Sequence, residues 1–389
     1  MAIETLVGKT ILIISPQSWG NMSLSKHHYA IELANKGNSV YFLNPPGKNG
    51  AGKKGAVTIV PSGITPGLWL IEHTLWFPYN LKFHALPLFH ALMKFHVSRI
   101  KRAIGKQLDI IWSFDLGNLY PFRLFGDQPV KIFHPVDEPL NKVAIDSAIG
   151  ARVIFSVTKE ILEKYSGFPV SGHFINHGVT EEFTKNGFNA WKKSLPVRVG
   201  LSGNWTRPDV DAACLLRIIR EQPAVIFEFW GSYKLADSNI GGNSDPGNEK
   251  FIRELQLAPN VKLHGPIPPV QLAAELHRMD AFLICYDVQK DQSKGTNYHK
   301  VMEYLSTGKV IISNNITTYR DRPDLVEMIQ ERDNNDSLPG LFNAVINDIE
   351  RYNADSLREA RHSYAIDNTY ARQLERIETI LKKKVYADK

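Results

Sequence analysis

The sequence has few cysteines and no long apolar run. Its 389 residues include 2 cysteines, both in apolar stretches, which predicts buried thiols in a reducing compartment. No group of cysteines and histidines has the spacing of a zinc site, and no apolar segment is long enough to span a bilayer. The first residues, MAIETLVGKTILIIS, lack the basic start and the small-residue cleavage site of a signal peptide. We therefore expect a cytoplasmic protein.

A nucleotide-binding phosphate loop is present only in part. In residues 46–55, PGKNGAGKKG, the positions of Gly47, Gly52 and Lys53 fit the start of G-x-x-x-x-G-K-[ST]. The motif needs a hydroxyl at the next position, which is Lys54, and a helix that follows. The chain instead continues as GAVTIVP, a β-branched run that predicts a strand. We interpret the stretch as a basic surface loop, which disfavours an NTPase or kinase.

Two further classes of protein lack their signatures. A dehydrogenase needs G-x-G-x-x-G after its first strand, whereas the loop after TILIIS contains only Gly20. No recognisable nucleic-acid-binding module is present. With 43% apolar and 22% charged residues, the composition is that of an ordinary globular protein, and the net charge of +6 favours anionic partners.

Apolar strands and helices alternate along the chain, which predicts parallel sheets. The first such unit is TILIIS, a helix over KHHYAIELANKG and the strand SVYFLN. A polar stretch at 180–196 is interpreted as an interdomain linker, after which the alternation restarts at VRVGLSG and ends in a long helical tail. The pattern predicts an α/β protein with two doubly wound, Rossmann-like domains facing a cleft. Ligands in such sheets bind at the carboxyl ends of the strands.

The segment KGTNYHKVMEYLSTGKVIIS (294–313) is the most informative. Asn297, Lys300 and Glu303 recur every third residue on a predicted helix, with Thr296 or Asn297 as its N-cap. A helix N-terminus and a cation suit a diphosphate, and a carboxylate one turn later can accept hydrogen bonds from ribose. The same spacing also fits an ordinary amphipathic helix with a Lys–Glu pair.

This segment resembles the donor-binding signature of GT-B glycosyltransferases of family 4 (group 1), broadly K-x-x-E-Y-L-A-x-G-x-P-V-V-S. The matching residues are Lys300, Glu303, Tyr304, Leu305, Gly308 and Ser313. Four further segments are similar to that family in the same order: INHGVTEEF, VGLSGNWTRPDVD, NVKLHGPIPPVQLAAELHRMDAFLICY and ARHSYAIDNTYARQLERIETIL. The sequence departs from the family at Gly295, where many members have a second glutamate, and at Val310, where proline is usual.

The resemblance implies a GT-B fold and a division into domains. Residues 1–185 would form the acceptor-binding domain and residues 197–365 the nucleotide-sugar-binding domain. Residues 366–389 would form a C-terminal helix that crosses back onto the N-terminal domain.

The resemblance also implies a role for individual residues. The predicted catalytic residues are Arg207 and Lys300, which would neutralise the diphosphate leaving group, and His134, which would lie beside the sugar. Glu303 would hold the donor ribose. The other predicted donor-binding residues are Gly20, Asn21, Gly203, Gly231, Thr296 and Asn297.

The implied reaction moves a sugar from a nucleoside-diphosphate donor to a hydroxyl of a glycan, polysaccharide or lipid-linked acceptor, with retention of configuration. It needs no metal and no other cofactor. Asp209 and Asp211 spell D-x-D, but they come just before a predicted helix, which favours capping over metal binding. Asp137 and Glu138 are, with His134, candidates for sugar contacts or base catalysis, or else polar residues at a strand end.

Residues 82–106 contain no acidic side chain. An apolar stripe at 4,3,4,3 spacing runs along this segment, and Pro87 is expected to restart the helix. The pattern predicts a basic amphipathic helix on the inner face of an anionic membrane; alternatively, the stripe packs on the N-terminal sheet. The stripe comprises Leu81, Ala85, Leu88, Leu92 and Phe95.

Two alternatives to glycosyl transfer stay open. One is a sugar-nucleotide epimerase of the same architecture, which would release its product without an acceptor. The other is a non-catalytic sugar-nucleotide-binding protein, which would bind the donor without turnover.

Overall fold

A computed structural model describes residues 6–20, 24–47, 54–185, 187–188, 190–234, 246–291 and 293–386. The chain forms two compact units. The first runs to Asn176 and resumes at Tyr370, and the second is His177–Thr369. Within the described ranges, no helix is both long and apolar enough to cross a bilayer.

The first unit is built on eight strands in one sheet. They are β1 (Thr10–Ile14), β2 (Ser39–Leu43), β3 (Val57–Pro61), β4 (Leu68–His73), β5 (Ile110–Ser113), β6 (Val130–Phe133), β7 (Val153–Ser156) and β8 (Gly172–Phe174). Their order is β3-β4-β2-β1-β5-β6-β7-β8, and every pairing is parallel except that of β3 with β4.

Both faces of this sheet carry a core. In β1, Ile11 and Ile13 belong to one buried cluster, whereas Leu12 and Ile14 belong to another. A strand buried on both faces needs apolar residues at every position, which explains the uninterrupted run TILII. The helices of the unit's first segment are α1 (Ser25–Asn35), α2 (Leu81–His84), α3 (Leu86–Ile104), α4 (Lys142–Asp146) and α5 (Lys159–Glu163).

Helices α2 and α3 occupy the basic segment and are divided as predicted, because Pro87 lies in the first turn of α3. The residues that α3 buries are Phe89, Met93, His96, Val97, Ile100 and Ile104. Leu88 and Phe95 from the predicted stripe are instead exposed. The alternative in which that stripe packs on the sheet is therefore wrong for these two residues.

The second unit is built on six parallel strands. They are β9 (Arg198–Ser202), β10 (Ile226–Trp230), β11 (Val261–Gly265), β12 (Ala281–Ile284), β13 (Val310–Ser313) and β14 (Glu327–Met328). The order β11-β10-β9-β12-β13-β14 reverses between β9 and β12. In open α/β sheets this reversal is where ligands bind, at the carboxyl ends of the strands.

Eight helices accompany the second sheet in the described part of the chain. They are α6 (Glu181–Thr184), α7 (Ala212–Glu221), α8 (Pro246–Leu257), α9 (Pro269–Leu276), α10 (Lys300–Leu305), α11 (Leu338–Asn347), α12 (Ile349–Tyr352) and α13 (Asp355–Ile366). Both sheets and their helices confirm the predicted α/β class with two doubly wound sheets.

The tail ends in α14 (Tyr370–Tyr386), which belongs to the first unit. Tyr370, Leu374 and Ile377 lie in the same buried cluster as Ile11 and Ile13 of β1. The chain passes from the first unit to the second after Asn176, so residues 177–185 belong to the second unit. The domain boundary predicted from the sequence placed them in the first domain.

Candidate functional site

Two glycines meet at the carboxyl edge of the second sheet. Gly203 follows β9 and Gly231 follows its neighbour β10. Gly231 has a φ of +106°, and a Cβ at this position would lie 1.8 Å from the carbonyl oxygen of Gly203. Only glycine fits such a conformation and such a close approach of two backbones. The structure thus brings these two predicted residues together.

Lys300 supplies a buried cation at the same edge. Its ammonium donates hydrogen bonds to the carbonyl of Ser202, at the end of β9, and to the hydroxyl of Tyr286, both at 2.5 Å. A Cβ at Gly203 would lie 2.9 Å from the same ammonium. Burial lowers the pKa of Lys300. A positive charge that is held between two strand ends is well placed to meet an anion.

Tyr286, the hydroxyl partner of Lys300, was not among the residues predicted from the sequence. It follows β12, the strand across the reversal from β9, and its N–H donates to Asn314 Oδ1 at 2.9 Å. Its ring centroid lies 4.8 Å from the Lys300 ammonium, within cation–π range. Its place after AFLIC, at the end of a predicted strand, was the only signal in the sequence.

Glu303 lies one turn after Lys300 on α10. Among the described residues its carboxylate has neither a hydrogen-bond donor nor an ion-pair partner. Burial raises the pKa of Glu303 to about 7, although Lys300 opposes the shift. A partly buried carboxylate without protein partners can accept hydrogen bonds from the hydroxyls of a ligand.

Arg207 lies in the loop after β9 and is held by Asp209. Its Nε donates to Asp209 Oδ1 at 2.8 Å, a second bond joins Nη2 to Oδ2, and Asp291 Oδ1 lies 3.9 Å away. Burial acts to lower the pKa of Arg207, but the hydrogen bond and the charge of Asp209 outweigh burial and raise this pKa. Because 47% of its side chain remains exposed, the guanidinium has a surface left for a ligand.

The loop before α10 is shaped by Asp291. Its carboxylate accepts hydrogen bonds from the N–H of Ser293 and Gly295, each at 3.0 Å, and from the hydroxyl of Tyr298 at 2.8 Å. These bonds hold the loop in turns, so the helix begins at Lys300. The N-cap is His299, so the N-cap predicted at Thr296 or Asn297 is wrong by three or two residues.

Thr296 and Asn297 are both buried in this loop. The hydroxyl of Thr296 donates to the carbonyl of Ser293 at 2.8 Å, and its own carbonyl accepts from the Thr318 hydroxyl at 2.6 Å. Thr296 thus ties the loop to the segment after β13. Direct contact of either residue with a donor stays a prediction.

The D-x-D pair has the capping role predicted for Asp211. Its carboxylate accepts from the N–H of Cys214 at 3.0 Å and thereby caps α7. Asp209 does not cap, because its carboxylate binds Arg207. Asp211, Cys214 and Cys285 are the only group of three potential metal ligands within the part of the chain that the structure describes. Asn335 already donates to the other oxygen of Asp211, at 2.8 Å.

Gly20, one of the predicted donor-binding residues, is exposed in the loop after β1, and Asn21 lies outside the described residues. Glu138 forms an ion pair with Lys164, which accounts for its burial, whereas Asp137 is exposed. The structure assigns Glu138 a partner within the protein.

His134 is fully buried at the end of β6. It lies among the rings of Tyr29, Trp112, Phe114 and Phe155, with centroids 5.0–6.0 Å away. Neither ring nitrogen has a hydrogen-bond partner among the described residues, and burial lowers the pKa of His134 to about 3. Its catalytic role stays a prediction, while its surroundings favour a packing role.

Lys26 lies at the carboxyl edge of the first sheet and was not among the residues predicted from the sequence. It is buried near the start of α1 and donates a hydrogen bond to Gln17. Burial lowers the pKa of Lys26 to about 8, while Asp137 and Asp115 oppose the shift. Asp115 follows β5, the strand next to β1, so a lysine and a carboxylate lie where this sheet's strand order reverses.

No protein-family profile matches the chain, and no curated protein matches its sequence. Solved structures do match it over nearly its whole length. Sucrose-phosphate synthase from Thermosynechococcus elongatus has a TM-score of 0.70 at 11% identity, covering 98% of this chain and 100% of that one. HepE from Anabaena, in complex with UDP and glucose, has a TM-score of 0.62 at 13% identity, covering 96% and 99%.

A third match is the lipopolysaccharide outer core galactosyltransferase WaaB, with a TM-score of 0.61 at 11% identity, covering 98% of this chain and 100% of that one. At these identities the likeness concerns the fold. It agrees with the two doubly wound sheets and with the C-terminal helix that packs in the first unit. The chain has the GT-B fold of these glycosyltransferases.

Proposed function

We propose that the chain is a glycosyltransferase that moves a sugar from a nucleoside-diphosphate sugar to a hydroxyl acceptor. One observation carries the proposal. The buried ammonium of Lys300 and the carboxylate of Glu303, which has no partner among the described residues, lie one turn apart on α10. They lie at the edge where Gly203 and Gly231 leave the backbone without side chains. A nucleoside diphosphate requires a cation for its phosphates, a group that accepts hydrogen bonds from its ribose hydroxyls, and backbone that it can approach closely.

The chemistry assigns a task to each group. The anomeric C–O bond to the diphosphate breaks, and negative charge develops on the leaving phosphate. Lys300 and Arg207 stabilise that charge, which is where electrostatic catalysis contributes most. Glu303 accepts hydrogen bonds from the ribose hydroxyls. The acceptor oxygen bonds to the anomeric carbon, and its proton passes to the leaving phosphate, with retention of configuration and without a resident metal ion.

Two matched structures support a uridine nucleotide as the first donor to test. One is HepE in complex with UDP and glucose, and the other is a trehalose-6-phosphate protein from E. coli bound with UDP-2-fluoro glucose. Both contain a nucleotide or nucleotide-sugar on the same fold. The acceptor we propose is a glycan, a polysaccharide or a lipid-linked saccharide, which places the protein in polysaccharide or glycolipid assembly.

A thermal-shift panel of UDP-, GDP-, dTDP- and ADP-sugars tests the donor site. A ligand at about 100 times its Kd stabilises the folded state by about 2.7 kcal/mol. We expect one nucleotide to raise the melting temperature of the wild type, and Glu303→Ala to lose most of that shift. Glu359→Ala, an exposed glutamate on α13, is the matched control. Equal shifts for wild type and Glu303→Ala with every ligand contradict the proposed site.

Release of the nucleoside diphosphate separates the three candidate functions. A glycosyltransferase releases it in proportion to the acceptor added, measured with a coupled assay. An epimerase instead converts the nucleotide-sugar to its epimer without an acceptor and without net release of the diphosphate, which chromatography of the nucleotide-sugar detects. A non-catalytic binding protein shows a thermal shift but neither product.

We further propose that α2 and α3 contact an anionic membrane surface. Phe83 and Phe95 are 71% and 65% exposed, and Leu88 is also exposed. Arg99 and Arg102 follow Phe95 by four and seven residues, so they lie on the same side of α3. Exposed apolar groups beside cations, with no acidic residue from 82 to 106, suit the boundary of an anionic lipid layer.

Sedimentation with lipid vesicles tests this contact. We expect binding to vesicles that contain phosphatidylglycerol, and weaker binding as salt is raised, because salt screens the attraction between charges. Equal sedimentation with neutral and anionic vesicles contradicts the proposal.

A further inference from the structure

A polar cavity lies at the opposite edge of the second sheet from Lys300. Its volume is about 200 Å³. Three segments line it: parts of 190–194, the turn 277–280 before β12, and residues of the turn 307–309 before β13. Because β12 and β13 are parallel, both turns lie at the amino edge. The cavity is therefore separate from the proposed donor site.

Lys309 is the main charge in this cavity. Only 5% of the residue is exposed, and its ammonium has no hydrogen bond or ion pair with any residue that the structure describes. It lies 5.8 Å from the ring centroid of Trp191, on the facing segment. Burial, helped by Arg358, lowers the pKa of Lys309 to about 8, while the charge of Asp280 opposes the shift, so most of the side chain stays charged at neutral pH. A buried charge without a partner is costly.

His277 also lines the cavity, but it does not offer a second binding group. Its Nε2 is enclosed by the protein and not open to the cavity, and the ring forms a hydrogen bond with the backbone of Phe183. Buried polar groups are rarely left without a partner, so it is the ammonium of Lys309 that points to a ligand.

Asp280, the acidic residue of the lining, is already occupied. Its Oδ1 accepts from Trp191 Nε1 at 3.0 Å and from the N–H of Ser194 at 3.1 Å, and its Oδ2 accepts from the N–H of Arg198 at 2.8 Å. These three bonds attach the 190–198 segment to the sheet. The cationic groups of the lining, which include Lys192 and Arg278, therefore outnumber the single carboxylate, and both of its oxygens already accept hydrogen bonds.

We propose that this cavity binds a small phosphate-class anion, with Lys309 as its ion-pair partner. The volume is below the roughly 300–1,000 Å³ of sites for larger organic ligands, which favours inorganic phosphate or the phosphate group of a small ester. Such an anion bridges the segment that contains Trp191 to the two turns, and so fastens that segment to the second unit. The proposal is independent of the glycosyltransferase activity.

Isothermal titration of the full chain with inorganic phosphate, in chloride buffer of constant ionic strength, tests the site. We expect saturable binding that Lys309→Met weakens at least tenfold. Lys193→Met is the matched control, because this lysine lies in the same segment but does not line the cavity. Arg207→Met separates this site from the donor site, and phosphate binding in the cavity is expected to persist in that variant.

Glycerol phosphate in a parallel titration distinguishes a free ion from an ester, since an ester-binding cavity binds both probes. Lys309→Gln, which keeps a polar side chain without the charge, is the second variant, with circular dichroism to verify folding of each protein. The proposal is overturned if neither probe binds, or if Lys309→Met and Lys309→Gln bind phosphate as the wild type does. It is equally overturned if Arg207→Met alone abolishes binding.

Discussion

The ammonium of Lys300 lies 2.5 Å from the hydroxyl of Tyr286 and 4.8 Å from the centroid of its ring. Tyr286→Phe keeps the ring and removes the hydrogen bond. The hydrogen bond is present before a donor binds and acts by orienting the ammonium, so we expect its loss to raise the Kd for the donor roughly tenfold, which corresponds to about 1.4 kcal/mol. Titration calorimetry with the nucleotide-sugar identified in the thermal-shift panel measures the change.

Tyr352→Phe is the control for this substitution. Tyr352 is half-buried at the end of α12 and takes no part in the proposed site. We expect it to leave the donor affinity within about twofold, and Lys300→Met to weaken binding more than Tyr286→Phe. Wild-type affinity in Tyr286→Phe contradicts the role of this hydroxyl in orienting Lys300.

Gly231→Ala tests the close approach of the two strand ends. Its φ of +106° disfavours any side chain, and the added Cβ meets the Gly203 carbonyl. Such backbone strain costs about 1–3 kcal/mol, and displacement of Gly203 adds to it. We expect the melting temperature to fall by roughly 4–8 °C and the donor shift to be lost. Calorimetry with and without the donor measures both effects.

The control is Gly340 in α11, because a Cβ added to this glycine would lie more than 4 Å from any other residue's atoms that it could contact. Gly340→Ala is expected to be neutral or slightly stabilising, because alanine favours a helix more than glycine does. A similar loss of stability in both variants contradicts the explanation from the contact with Gly203.

The strands were the most predictable part of the fold. TILII, VIFS and AFLI are buried on both faces, and such runs leave a continuous apolar signal in the sequence. β4, with the mixed run LWLIEH, was not predicted. Its charged and half-buried positions resemble those of a loop, and its pairing with β2 depends on residues far away in the sequence.

The residues of the candidate site that were predicted, Gly203, Arg207, Gly231, Lys300 and Glu303, came from the resemblance to a family. The spacing of Lys300 and Glu303 on one short helix also fits an ordinary amphipathic helix, so spacing alone did not select them. Tyr286 and Asp291 act through contacts with residues that are distant or in an irregular loop, and no local pattern encodes such contacts. The burial of His134 depends on rings from β5, β7 and α1, which the sequence alone does not bring together.

Donor binding is expected to depend on the protonation of Glu303. Burial raises the pKa of this carboxyl to about 7, and only the ionised form accepts two hydrogen bonds from a ribose. Below about pH 7 the neutral form dominates, so the Kd should rise roughly tenfold for each unit of pH. Above that pH it should be constant. Titrations from about pH 5.5 to 8.5 at constant ionic strength measure the profile.

The raised pKa of Glu303 also affects the stability of the protein without a donor. Because the pKa is raised from 4.5 to about 7 on folding, the folded state binds this proton more tightly than the unfolded state. The contribution of Glu303 to stability is therefore fully present below about pH 4.5 and is lost as the pH rises through 7. Glu303→Gln should remove the pH dependence of donor binding and this contribution to the pH dependence of stability. If both pH profiles are unchanged in this variant, the assignment to Glu303 is contradicted.

His134→Phe distinguishes packing from catalysis at the end of β6. The imidazole is enclosed by four aromatic rings and is neutral at physiological pH, since burial lowers its pKa to about 3. A phenyl ring fills a similar space without an unsatisfied nitrogen. We expect donor affinity and turnover to change less than about threefold, because volume-conserving swaps are tolerated in cores. A roughly 100-fold loss of turnover, in a variant that melts like the wild type, supports the catalytic role instead.

The exposed rings on α2 and α3 provide the sharpest test of membrane contact. Phe83→Ser with Phe95→Ser removes two exposed rings and no charge. Burying a side chain of this kind is worth at most about 1.5–3 kcal/mol, and we expect partial insertion to yield about 1 kcal/mol from each ring. The affinity for phosphatidylglycerol vesicles should then fall roughly 30-fold.

The control for that pair is Ile64→Ser, an equally exposed apolar residue of the same unit, in the turn between β3 and β4. It should sediment with vesicles as the wild type does, because its turn lies outside the basic segment. Arg99→Gln with Arg102→Gln should reduce binding and make the remainder less sensitive to salt, since attraction between charges is screened by ions. If the phenylalanine pair and Ile64→Ser sediment alike, the rings do not reach the lipid, and the exposed face of α3 has another role.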